Sequence, residues 1–125
     1  MNCLFSLTIL IFILTSCSKN NSIKDNEPPV ITINTPVNNE VFNSGETVNI
    51  AGSITDGKKI TEVHVHISNN TTGSLLIDIH RYPAITSYNL NESFQTTSGI
   101  NYKIQVIAKD NSANENRATV EISSN

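Results

Sequence analysis

The chain has 125 residues, eleven acidic and eight basic, for a formal net charge of −3. That length leaves room for one ordinary domain. Basic residues so few and so scattered exclude a surface built to replace the counterions of a nucleic acid.

The first segment, "MNCLFSLTILIFILTSC", carries an apolar run from Leu4 to Leu14. It is too short to span a hydrocarbon core of ~30 Å as a helix and fits the hydrophobic region of a secretory signal peptide. The run ends in Leu14-Thr15-Ser16-Cys17, which resembles the lipobox of bacterial lipoprotein precursors. The resemblance implies cleavage between Ser16 and Cys17, acylation of the Cys17 thiol and then of the new amine, and attachment to a membrane through those chains. Two or more acyl chains, each buried methylene contributing ~0.8 kcal/mol, give durable anchoring where one does not. Ser18 rather than Asp after Cys17 matches sorting to the outer membrane in some Gram-negative bacteria. Residues 1–16 are therefore expected to be a lipoprotein signal peptide. Cys3 leaves with it, so no internal disulfide can hold the mature chain.

Residues 17–28 hold the lipidated cysteine and a polar stretch, "SKNNSIKDNEP", which reads as a flexible tether. Extended, it reaches roughly 36 Å at ~3.3 Å per residue. The folded domain is expected over 29–125, enough chain to bury one core without staples.

Helical periodicity is missing from this domain; short alternating runs separated by turn residues recur instead. Strands are expected at 30–34, 46–54, 60–67, 75–82, 87–91, 100–109 and 117–123. "TDGKK", "NNTTGS" and "DNSANEN" are read as turns or loops between them. Alternation places Val63, Val65, Ile67, Ile77, Ile79, Ile104, Val106 and Ala108 inside and leaves Ile107 outside. The spacing is that of an all-β, seven-stranded antiparallel β-sandwich.

"PPVITINTPVNNEVFNSGETVNIAGSITD" and "GINYKIQVIAKDNSANENRATVEI" resemble the opening and close of bacterial immunoglobulin-like domains. The resemblance implies a scaffold: a lipid-anchored cell-envelope module that binds a protein or glycan, adheres, or serves as structure. Tyr102 stands where such domains carry a tyrosine corner, its ring in the core and its hydroxyl on nearby backbone.

Chemistry is sparse. Neither Gly-x-Ser-x-Gly nor His-Glu-x-x-His occurs, and no glycine-rich phosphate loop is present, so no enzymatic activity is expected. Two constellations stand out. Strand order brings Asp56 to the same end as Asp110, Asn111, Asn114 and Glu115, oxygen donors that suit Ca²⁺ but also the residues that turns demand. The second is "EVHVHIS": with Val63, Val65 and Ile67 inward, Glu62, His64 and His66 share the outer face. If residues 75–82 form the hairpin partner, Asp78 and His80 join them. One register sets His64 opposite His80 and His66 opposite Asp78; the other sets His64 opposite Asp78 and Glu62 opposite His80. Either gathers three imidazoles and a carboxylate, a donor set for Zn²⁺. A metal-binding lipoprotein using His64, His66, His80 and Asp78 is thus the alternative to the plain binding module.

Overall fold

The computed structural model describes residues 22–125. The expected signal peptide, the cleavage point at Ser16, the lipidation site at Cys17 and the start of the tether lie outside the described residues. Seven strands follow one another without a helix among the described residues: β1 (Val30–Thr35), β2 (Glu40–Phe42), β3 (Thr47–Asn69), β4 (Leu75–Arg81), β5 (Ile85–Gln95), β6 (Asn101–Asp110) and β7 (Glu115–Ser124).

The long strand β3 organises the rest. Its first half, Thr47–Thr55, lies between β1 and β5; its second half, Ile60–Asn69, lies between β4 and β6, with β7 and then β2 beyond β6. These are the two layers of a sandwich. One core cluster draws on both: Val48, Ile50, Ile54, Leu90 and Phe94 from the first layer, and Val63, Val65, Ile67, Ile104, Val106 and Ile122 from the second. Residues near both ends of β3 meet residues 95–102, because Thr47 pairs with Gln95 and Asn69 with Tyr102. The strand therefore folds over in its middle.

That fold-over corrects the sequence reading in one place. "TDGKK" does not separate two strands; it lies within β3 and carries it from one layer to the other. The Asp56 carboxylate accepts the Lys58 N–H at 2.6 Å, a local turn made inside a strand. The count of seven is restored by β2, too short to show alternation and paired in parallel with β7 over Glu40–Phe42. The expected all-antiparallel pairing thus has one parallel exception. β5 also runs longer than expected and includes Phe94.

Between Ile60 and Glu62 the register against β6 shifts, so that Thr61 is an extra residue on β3. Its hydroxyl donates to the carbonyls of Lys109 and Asp110 at 3.2 and 3.0 Å. This bulge changes which parity faces inward. Val48, Ile50, Ile54 and Ile60 are buried before it, and Val63, Val65 and Ile67 after it. Gly52 interrupts the earlier series because β1 crosses tightly there: a Cβ would lie 2.0 Å from the carbonyl oxygen of Thr32.

At the end where β5 passes to β6, Tyr102 is buried, its ring packs edge-on against Phe94 at 5.1 Å, and its hydroxyl accepts the Thr97 N–H at 2.7 Å. This is the tyrosine-corner role expected from sequence. Val63, Val65, Ile67, Ile104, Val106 and Ala108 are buried as expected, with Ile77 and Ile79 packed against them at partial exposure. Val65→Ala should therefore cost about 2–4 kcal/mol. Ile107→Ala, on the outer face, should cost clearly less in the same urea titration; the reverse order would place the register of β6 one residue off.

Candidate functional site

The outer face of the second layer is laid out by three registers. β4 against β3 pairs His64 with His80 and His66 with Asp78, the first of the two arrangements the sequence allowed. β6 against β3 adds Ile107 beside His64, Gln105 beside His66 and Lys109 beside Glu62. β7 then sets Arg117, Thr119 and Glu115 beyond these.

All three histidines and two carboxylates meet. His64 Nε2 lies 2.5 Å from Glu62 Oε1, His66 Nε2 lies 3.2 Å from Asp78 Oδ1, and His80 Nε2 lies 2.9 Å from Asp78 Oδ2. The His64 ring is 3.9 Å from that of His80 and 5.7 Å from that of His66, centroid to centroid. Potential ligand atoms of His64, His66 and Asp78 all lie within 4.8 Å of one another, as do those of Glu62, His64 and His80. The imidazole side chains are 22 %, 29 % and 40 % exposed for His64, His66 and His80, so the cluster is reachable from solvent. The hydrogen bond with His64 is the main influence holding the Glu62 carboxyl below the usual carboxylate range, and the bond with His80 does the same for Asp78. Glu62 also leads into a charge chain: Lys109 Nζ is 3.4 Å from its second oxygen and 3.9 Å from Glu115, which pairs with Arg117 at 2.8 Å.

The second constellation lies at the other edge of the fold-over. Asp56 and Asp110 come together as expected, and Asp25 of the preceding segment, which sequence reading placed in the tether, joins them within 4.8 Å. The oxygens of Asp110 are already engaged. Oδ1 accepts the N–H groups of Ser112 and Asn114 at 2.7 and 2.8 Å, and Oδ2 accepts Asn114 Nδ2 at 2.7 Å. Asn111 enters through its backbone, its N–H donating to the Lys59 carbonyl at 3.0 Å. Glu115 faces Lys109 and Arg117 on the outer sheet face instead. What the residues build here is a turn closed by a buried carboxylate. The same amide of Asn114 donates to the carbonyls of Asp25 and Glu27, and Asn116 Nδ2 donates to that of Pro29 at 2.8 Å. Sequence reading missed this clamp; the only signal was the clustering of Asn in "DNSANEN".

The strand order, the two-layer core and the tyrosine corner define an immunoglobulin-like β-sandwich. The chain belongs to the family described as Domain of unknown function (DUF4625), whose model matches residues 15–124. Among solved structures it is similar to the fibronectin(III)-like modules of Clostridium thermocellum CbhA. The identity there is 17 %, with 76 % of this chain and 94 % of that one covered and a TM-score of 0.51. It is also similar to the superoxide reductase (neelaredoxin) of Ignicoccus hospitalis in its T24K form. That match is 13 % identical, covers 78 % of this chain and 80 % of the other, and has a TM-score of 0.54. Such identities show the fold alone. No curated protein matches the chain.

Burial by itself would raise the pKa of Asp110; the hydrogen bonds from Asn114, Ser112 and Ala113 outweigh it and hold the carboxyl below its usual 3.8. Asp110→Ala should cost about 1–3 kcal/mol at neutral pH by removing the charged acceptor of three hydrogen bonds that close the loop. A depressed folded-state pKa means that the contribution is complete above the unfolded value, near pH 4, and is lost as the pH falls through the folded one. The stability gap between wild type and Asp110→Ala should accordingly narrow below about pH 4. A gap that stays constant into acid would assign the effect to loop shape and not to the carboxylate.

Proposed function

We propose that the chain is a lipid-anchored protein of the bacterial cell envelope, sorted to the outer membrane, whose immunoglobulin-like domain is a non-catalytic binding or structural module. The observation that carries the reading is the clamp on the segment leading into β1. Asn114 and Asn116 hold the carbonyls of Asp25, Glu27 and Pro29 against one end of the sandwich, and Pro29 is fully buried. Together with the lipobox-like Leu14–Cys17, this supports a tether that enters the domain at a fixed end and not through a free joint. The opposite end carries the Asn69–Ser74 turn, where the Asn69 side chain accepts the N–H of Thr71 at 2.9 Å and Gly73 takes a positive φ of 76°. In this reading that turn and the outer face of β4, β3, β6 and β7 are presented outward to a protein or glycan partner.

Anchoring is tested by Cys17→Ala, which should move the protein out of the detergent phase or stall it as an unprocessed precursor. Unchanged membrane partitioning of that variant would sink the proposal. Presentation is tested with single cysteines at Thr72 and Ser112 in isolated membranes. A bulky maleimide should react faster at position 72; equal rates would mean that the clamp does not orient the domain.

A further inference from the structure

We infer that the outer face of β3 and β4 is a binding site for one divalent transition-metal ion of the zinc class, with His64, His66 and Asp78 as its protein ligands. Backbone pairing, not chance surface proximity, puts the three together. His64 and His66 alternate on the central strand β3, and Asp78 stands directly opposite His66 on β4. Their ligand atoms already lie within 4.8 Å of one another. Around an ion with bonds of ~2.0–2.2 Å, tetrahedral ligand atoms sit roughly 3.2–3.6 Å apart. The His66–Asp78 pair, at 3.2 Å, already has that separation. Closing the third side needs only side-chain rotation.

Donor chemistry selects the class of ion. Two imidazole nitrogens and one carboxylate oxygen suit zinc and its neighbours, whereas Ca²⁺ and Mg²⁺ take all-oxygen sets. A flat sheet face cannot wrap an ion on four sides, and here it need not. Three protein ligands on one face leave the outward position to water, the arrangement of open zinc sites.

Residues around the three also serve. With Glu62 bonded to His64 Nε2, the nitrogen of His64 left with a free lone pair is Nδ1. His80 Nε2 holds the second oxygen of Asp78 at 2.9 Å, which fixes the carboxylate plane. Metal-bound imidazoles and carboxylates are ordinarily oriented by such partners. Glu62 and His80 are therefore positioning residues for the ion.

The site is independent of the anchoring reading, and its test leaves the anchor out. Zinc chloride is titrated calorimetrically into metal-stripped full chain carrying Cys3→Ala and Cys17→Ala, so that no thiol competes. One ion per chain should bind with a Kd of about ten micromolar or tighter. His64→Ala and His66→Ala should each weaken it at least a hundredfold. His80→Ala should weaken it by about ten- to a hundredfold, as loss of an orienting partner does. Glu121→Gln, elsewhere on the same sheet, should leave it unchanged. These positions face outward, so circular dichroism and the urea midpoint should show every variant folded. Cobalt(II) should give the intense visible absorption of a four-coordinate site in wild type and lose it in His66→Ala. Binding weaker than millimolar, or affinity indifferent to His64 and His66, would overturn the proposal. Affinity that survives His66→Ala but falls with Glu62→Ala and His80→Ala would overturn the ligand assignment in favour of the other triad.

Discussion

The fold turns on one extra residue. Thr61 bulges from β3 at the point where the strand leaves the first layer, and its hydroxyl caps the Lys109 and Asp110 carbonyls across from it. Side chains alternate along a strand, so a single inserted residue moves every later side chain to the opposite face. Had the parity set by Val48, Ile50, Ile54 and Ile60 continued, Glu62, His64 and His66 would point into the core. Two imidazoles and a carboxylate would then need buried partners, and Val63, Val65 and Ile67 would face water. The bulge puts three aliphatic side chains at or below 1 % exposure and sends the polar ones outward. The core and the outer face are consequences of the same backbone irregularity.

Much of this was legible because alternation is a strong signal where one face is buried. The inward set on 63–67 and 104–108 follows from period two alone, and so does the outward set containing His64, His66, Asp78 and His80. What alternation cannot give is the choice between registers two residues apart, since both keep the same faces together. The connection decides it. Asn69 closes the Asn69–Ser74 turn through its side chain and through the Gly73 N–H, and a shift at Ser68 sets Leu75 opposite it, which fixes Ile67 on Ile77. β2 was invisible for a different reason. Three residues cannot show a period, and the partner strand lies about eighty positions away in parallel. "TDGKK" misled because residues that make turns also make bends within a paired strand.

The fold leaves function to the faces. Likeness to a fibronectin(III)-like module and to a superoxide reductase, at 17 % and 13 % identity, says that one sandwich supports unrelated roles. Any role of this chain has to be argued from side chains the scaffold does not need. The buried residues of β3 and β6 are spent on the core, and Tyr102 on closing the corner above Phe94. Among the polar positions that remain, those of the sheet face and of the clamped end gather acidic side chains.

Those two places both gather carboxylates, and they differ in what a cation would have to displace. At the clamped end, Asp110 is buried and both its oxygens are taken by donors of its own loop, including the backbone N–H groups of Ser112 and Asn114. An ion there would compete with bonds whose loss leaves backbone N–H groups of the loop without their acceptor. The Asn114 amide, which also holds the segment leading into β1, would lose its bond to the carboxylate. On the sheet face, Glu62 and Asp78 are bonded to imidazoles and to Lys109, side chains that remain open to water. An ion that displaced an imidazole proton there would exchange one side-chain partner for another and leave no backbone group unpaired. The acidic end is built as structure because its acceptors are consumed. The histidine face keeps its acceptors exchangeable, and that difference makes it the one of the two suited to take up and release a cation.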